Sequence, residues 1–444
     1  MSLLLHGATV VTSLDPPAVE RLDVHVDAER VVALGPALAV GGPTLDATGC
    51  LIVPGNVNGH MHAYSALARG MPYHLAPPRN FLEILQRVWW RLDRALDGDS
   101  IRASALVAAR EALLAGTTTL VDHHASPNAI DGSLDLIADA FEELGLRSVL
   151  AYEVSDRDGP ERSAAGLAEN ERFLRQVAGG AYPLARGLVG AHASFTLSDQ
   201  ALADCAALAR DMRTGLHVHL SEDAVDRGAT RRLAEAGALD GRTLVAHAVH
   251  VERPEAELLE ERRVTVAHNP RSNMNNGVGR ARLGWLGARV ALGTDGIGSD
   301  MWAEGRTGYF RRHEEELSVL PEWTLARLSV GSDLVGRVFG EPLLGRIAVG
   351  APADLVVLDY RPPTPLDSGS LAGHWTFGMS SAEVRDVIVG GEIVVRDRRL
   401  TRVDEASLTA QATSAAERLW ARIEDIAPHP WAPTPAHLAP VGAR

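Results

Sequence analysis

The chain contains no lysine: all 43 basic residues are arginine. Codon bias is the bland explanation, but the chemical consequence holds whatever the cause. No carboxylated lysine can bridge two metal ions, and no lysine can form a Schiff base. Cysteine is nearly absent too. Cys50 and Cys205, far apart in sequence, allow no disulfide framework and no thiolate cluster, which points to a reducing compartment. No segment reaches the apolar length of a membrane span, and Met1-Ser2-Leu3-Leu4-Leu5-His6 lacks the basic flank and apolar run of a secretory signal, so a cytoplasmic location is expected. Excess positive charge is missing as well. The formal charge of -14 opposes binding to nucleic acid, and the basic clusters Arg262-Arg263 and Arg396-Asp397-Arg398-Arg399 are short or mixed with acid, as on solvated faces.

What is present is a long, apolar-rich chain: 444 residues, 46% hydrophobic, enough for one large α/β barrel with a smaller appendage. Leu3 to Val11 and Asp23 to Leu34 read as strands between Pro and Gly turns, as do Ala353 to Leu358 and Val384 to Val395 near the other end. The two ends are expected to meet in one composite β-sandwich, residues 1–54 with 345–400. Between them strand and helix patterns alternate. Strands are expected at Val53–Asn58, Thr117–Val121, Arg147–Glu153, Arg186–Ala191, Gly215–Leu220, Thr243–Ala246, Val264–Ala267 and Arg289–Gly293. Such a rhythm over residues 55–344 predicts a (β/α)8 TIM-like barrel, with its active site at the C-terminal strand ends. Residues 401–444 read as an amphipathic helix from Asp404 to Ile423, then a Pro-rich tail that runs over the surface or is disordered from Pro428 onward.

The stretch Gly55-Asn56-Val57-Asn58-Gly59-His60-Met61-His62 follows the apolar run Leu51-Ile52-Val53 and reads as a strand end. Side chains alternate with period two, so His60 and His62 leave one face and can grip one ion. By the same alternation His217 and His219 face the axis of the fifth strand, with Glu222 three residues beyond His219. His247 ends the sixth strand. Asp295 ends the eighth, where Asp before Gly reads either as a turn residue or as a ligand. Taken together, strand ends that supply His, His with Glu, His and Asp point to a metal site without thiolates, suited to zinc or iron.

On these motifs the chain resembles the amidohydrolase superfamily, in particular the group of cytosine, guanine and S-adenosylhomocysteine deaminases and triazine hydrolases. Pro54-Gly55 through His62, Gly116-Thr117-Thr118-Thr119, His219-Leu220-Ser221-Glu222, His268-Asn269-Pro270 with Ser272-Asn273, and Gly293-Thr294-Asp295-Gly296 match in order over nearly the whole length. Asn80 to Leu96 is similar to aminohydrolases of the SsnA type. The resemblance implies one divalent metal, zinc or alternatively iron, held by His60, His62, His219 and Asp295, with Glu222 and His247 at its water. The missing lysine agrees, because two-metal relatives generally carry a carboxylated one.

The implied reaction is hydrolytic deamination of an aminated nitrogen heterocycle: a purine, pyrimidine, pterin or triazine. Metal-activated hydroxide would attack the ring carbon, Glu222 and Asp295 would move the protons, and His247 would stabilise the developing oxyanion. Substrate contacts are expected from His192, Trp89, His124 and Asn269, each with a bland alternative. His192 reads otherwise as a packed polar residue, Trp89 as part of the core face Phe81-Leu85-Val88-Trp89-Leu92, His124 as a loop hydrogen-bonder, and Asn269 as a residue that shapes its loop. The chain continues Ile297-Gly298-Ser299-Asp300-Met301 where relatives often carry Ser-Asn, which leaves substrate identity open. Two other functions fit the same residues. One is hydrolysis of a cyclic amide or ring chloride, separated from deamination by ammonia release; the other is non-catalytic metal-dependent binding. The only partner expected is the small-molecule substrate, and homo-oligomers are what the resemblance implies.

Overall fold

The computed structural model describes residues 2–433. Its strands form three sheets. A nine-stranded sheet takes Ser2–Leu14, Pro17–Asp27, Arg30–Gly35, Thr44–Asp46 and Leu51–Pro54 from the start of the chain, and Leu355–Leu358, Val384–Val389, Glu392–Arg396 and Arg399–Leu400 from near its end. The join is antiparallel pairing of Leu51–Pro54 with Leu355–Leu358, closed over Ile52, Leu355 and Val357, which are fully buried.

The other two sheets are parallel. One has four strands, Asn56–Met61, Thr117–His124, Arg147–Tyr152 and Ala185–Gly187; the other has five, Val189–Ala193, Leu216–Leu220, Leu244–His247, Thr265–His268 and Val290–Leu292. Isolated parallel bridges link them at both edges, Val154 to Ala191 and Met61 to Asp295. Nearly every residue in these strands is buried, as expected where helices cover a parallel sheet. Val57, Val121, Val149, Leu188, Leu244 and Ala267 share one apolar cluster with Leu334 and Val335 of the helix Glu322–Phe339.

Two expectations are corrected. Leu51-Ile52-Val53 and the two histidines do not share a strand: the chain leaves the nine-stranded sheet at Pro54 and enters the parallel one at Asn56. Gly55 occupies the crossing because an ideal Cβ there would lie 2.1 Å from Thr118 Oγ1. Asp23 to Leu34 is two strands, reversed at Ala28, whose φ of 51° is left-handed.

Above the parallel strands runs a roof: a helical turn Phe81–Ile84, a π-helical turn Leu85–Trp89 and a helix Trp90–Ala95. Asn80 caps it, its side chain accepting from Glu83 N at 2.9 Å. The helix Glu405–Glu424 starts at the Asp404 cap and buries Leu408, Leu419 and Ile423. Beyond it the chain is strapped to the roof. Arg91 donates to the carbonyls of Ile423 and Ile426, Arg94 to Ala427, and His429 N to Gln86 O at 2.9 Å. His429 is buried while Pro428 and Pro430 are exposed, so residues 428–431 run over the surface, one of the two expectations for this tail, and are tied down at His429. The rest of that tail, from 434 on, lies outside the described residues. Among the described residues no helix is long and apolar enough to cross a membrane.

Candidate metal centre

The side chains that the sequence singled out from the first, fifth and last parallel strands come together. Backbone pairing sets the first half of the geometry. His60 O accepts from both Thr294 N (2.9 Å) and Asp295 N (3.0 Å), and His62 N donates to Asp295 O (3.3 Å), so the histidine strand and the aspartate are held in register. Several turns at the strand ends are strained. Ser221, His247 and Asp295 have φ of 46°, 76° and 55°, left-handed values that non-glycine residues hold only when the surroundings enforce them.

Hydrogen bonding on the far side of each ring sets its tautomer. His62 donates Nδ1–H to His123 O at 2.6 Å, and His219 donates Nδ1–H to His192 O at 2.7 Å. Their Nε2 lone pairs therefore face one another, 3.1 Å apart, with no proton between them. Asp295 Oδ1 lies 2.9 Å from His62 Nε2 and 3.6 Å from His60 Nε2, and that His60 nitrogen is buried with no hydrogen-bond partner. Three imidazole lone pairs and a carboxylate oxygen that converge in this way repel unless a cation joins them. The donor set thus fits a divalent metal. His60, His219, His247 and Asp295 also form a group with ligand atoms within 4.8 Å of one another, so His247 is a further candidate donor.

Around these donors stand the groups expected at the water. Glu222 Oε2 is 3.5 Å from His247 Nε2. His247 Nδ1–H donates to Asn273 Oδ1 at 2.8 Å, and the Ser272 hydroxyl donates to Asp295 Oδ2, which gives physical content to the Ser-Asn pair of that loop. Burial and the neighbouring Asp295 charge push the Glu222 carboxyl well above the ordinary range. Burial pushes Asp295 upward too, but His60 and His62 outweigh it and hold the group far below its usual value. Burial lowers His247 to about 4, so its ring is neutral near pH 7.

A cavity opens beside the donors, lined by His62, His219, Glu222 and Asp295 on one side and by Phe81, Leu85, Trp89, Trp90 and Phe195 on the other. His192 and Trp89 line it, where substrate contact was expected. His124 and Asn269 do not. His124 is fully buried with Nε2 2.9 Å from Ser126 Oγ, and Asn269 is fully buried behind His247, so both act inside the protein wall. His250 bonds Val278 O, and Arg271 is paired with Glu304.

Glu153 escaped the sequence reading. It ends an apolar strand like any boundary residue, yet it is buried, lines the cavity, and joins His62, His123 and His219 in a second group of possible donors. The one local signal was a carboxylate at the C-terminal end of a barrel-type strand.

The profile of the amidohydrolase family matches residues 51–394. An adenosine deaminase from Xanthomonas campestris, solved with bound zinc, superposes with a TM-score of 0.82 at 24% identity over 94% of this chain and 98% of its own. The chain belongs to the amidohydrolase family, and its mixed α/β fold with parallel sheets is of the TIM-barrel type. A 5-methylthioadenosine/S-adenosylhomocysteine deaminase of Desulforudis audaxviator is 33% identical over 421 residues, covering 89% of this chain and 94% of the relative. A 5'-deoxyadenosine deaminase of Methanothermobacter thermautotrophicus is 32% identical over 438 residues, covering 94% and 99%. These relatives are named as deaminases, which are hydrolases of C–N bonds, and the enzyme class read from the sequence is borne out at that level.

Proposed function

We propose that the protein is a metal-dependent aminohydrolase that releases ammonia from an amine-bearing purine, either a nucleoside or the free base. The reading rests on one observation: His62 Nε2, His219 Nε2 and Asp295 Oδ1 converge beside a cavity wall that carries Glu222. His60, His62, His219 and Asp295 would hold one divalent ion, zinc or iron by the character of the donors. When bound, that ion activates a water as a nucleophile near neutral pH. Glu222, with its raised proton affinity, takes a proton from that water and returns it to the ring nitrogen beside the amine-bearing carbon. Asp295 takes the second proton toward the departing amine, and neutral His247 steadies the oxygen as it gains charge. Trp89 packs on the flat ring and His192 borders it.

The architecture in this reading is a (β/α)8 barrel over residues 55–344. The four- and five-stranded sheets are its two arcs, joined at Val154–Ala191 and Met61–Asp295, with Ala185–Gly187 and Val189–Ala193 as one interrupted strand. Residues 1–54 and 345–400 form the composite β-sandwich beside it. The names of the relatives support the substrate class, and the aromatic lining from Phe81, Trp89, Trp90 and Phe195 supports a planar ring.

The test is an ammonia-release screen of zinc-reconstituted protein against amine-bearing purines. Glu222→Gln should retain its metal and lose about 10²- to 10⁴-fold in turnover. Wild-type turnover by a metal-loaded Glu222→Gln protein would overturn these roles.

A further inference from the structure

The proposed reaction leaves one buried charge without a task. Glu153, 4% exposed, sits where the strand Arg147–Tyr152 ends and lines the cavity. Its Oε1 has no hydrogen-bond partner. The nearest ring proton is on His62 Nδ1, 3.2 Å away, but it is already donated to His123 O at 2.6 Å, and the His123 Nδ1 atom, 3.5 Å from Oε1, makes no hydrogen bond to it. Oε2 stands 3.9 Å from His192 Nε2, beyond hydrogen-bond reach. A carboxylate removed from water in this way requires donors, and the wall of the cavity provides none in bonding geometry.

The charge around it is one-sided. Glu153, Glu222, Asp223, Asp226 and Asp295 line the cavity against a single guanidinium, Arg157. Arg157 is not available to a ligand: it pairs with Asp93, holds Asp158 Oδ2 at 3.1 Å and lies 5.3 Å over the Trp90 ring. A divalent ion offsets the two carboxylates beside it, Glu222 and Asp295, and leaves the excess on the remaining wall. In a cavity walled by aromatic rings such an excess acts over several ångströms with little screening.

We propose that Glu153 is a substrate-contact residue that accepts N–H or O–H donors from the bound heterocycle, and that the cavity admits neutral or cationic ligands while excluding anionic ones. The inference rests on the aminohydrolase reading and deepens it. The competing role for Glu153 is positioning only, through the His62 ring, and it makes a different forecast: loss of the carboxylate would then reduce turnover of every ligand by one common factor.

The experiment uses the zinc-loaded full chain and three ligands that share one ring: adenosine, adenosine 5'-phosphate and 5'-amino-5'-deoxyadenosine. Ammonia release is measured on the wild type, and binding is measured by tryptophan fluorescence on Glu222→Gln. The phosphate should fall at least about 10-fold below adenosine in both kcat/KM and affinity, with the gap closing as salt is raised. Glu153→Gln should weaken adenosine about 10- to 100-fold while narrowing that gap. Asp223→Asn, which removes a charge away from the metal donors, should narrow it with the fold undisturbed. Phosphate handled within threefold of adenosine, a gap indifferent to both variants, or an equal loss for all three ligands in Glu153→Gln overturns this inference alone. If no ligand binds or releases ammonia, the aminohydrolase reading falls with it.

Discussion

The seam between the first and last parallel strands offers a stringent test, because the metal donors straddle it. An ideal Cβ on Gly293 would lie 2.4 Å from Asn269 Oδ1, 2.8 Å from His60 O and 2.9 Å from His60 Cβ. Ordinary non-bonded contact needs about 3.5 Å, so Gly293→Ala must open the seam by roughly 0.5–1 Å. The His60 carbonyl cannot move alone, since it accepts from both Thr294 N and Asp295 N. Overpacking of this kind costs about 1–3 kcal/mol. A displacement near 1 Å at reacting groups costs about 10²-fold in rate. Gly373→Ala is the control. Gly373 lies in the helix Leu371–Phe377 with nothing within 4 Å of its added Cβ, so alanine there should stabilise by about 0.5–1 kcal/mol. Urea unfolding of the two zinc-loaded variants, with zinc stoichiometry and turnover measured on the same samples, separates the cases. If Gly293→Ala matches the wild type in unfolding midpoint and in zinc content, the close approach of the strands is wrong, and so is the argument that it positions His60 and Asp295.

Other outcomes follow from the same geometry. Removing the divalent ion with a chelator should lower the unfolding midpoint, because an ion at 1,000 times its dissociation constant contributes about 4 kcal/mol; a thermal scan unchanged by chelation and by zinc add-back would refute the donor set. Arg147 holds Asp354 through two bonds of 2.8 and 3.0 Å and ties the parallel strand to the nine-stranded sheet. Arg147→Met should therefore destabilise by about 3–5 kcal/mol, because the buried Asp354 charge keeps only the Gly390 N–H donor, and Arg147→Met with Asp354→Asn, which removes the charge and keeps that acceptor, should recover much of it; equal losses in both would deny the pair its role. Burial raises the Asp158 carboxyl, but the His429 hydrogen bond and Arg157 outweigh it and hold the group at about 2, below its ordinary 3.8. A depressed folded value gives stability that is present above about pH 4 and lost as pH falls toward 2. Asp158→Asn should flatten that part of the acid-unfolding curve, and an unaltered acid limb would remove Asp158 from the account.

Much of the architecture was legible because it is local. Apolar runs of strand length fell within a few residues of the parallel strands, and Asp404 marked a helix start because a cap needs only its own turn. Alternation put His60 and His62, and His217 and His219, on common faces. Local patterns failed where the partner mattered. The run from Leu51 to Met61 looks continuous in sequence, yet its halves pair with different sheets, and only the close approach of Thr118 to Gly55 explains the break. His124 and His192 look alike as strand-end histidines. One is held behind the wall by Ser126 and the other borders the cavity, a difference that depends on which neighbour lies between ring and solvent.

By itself, then, the order of residues determined the chemical vocabulary: imidazoles and carboxylates at strand ends, no lysine to bridge a second ion, and an acidic surplus. Tertiary structure alone decided which of those groups meet and in what state. Backbone carbonyls from other strands choose the tautomers of His62 and His219, and desolvation in a shared cavity drives Glu222 and Asp295 to opposite proton affinities. Both effects act through space between segments far apart in the chain, and such distances are not encoded in any local pattern.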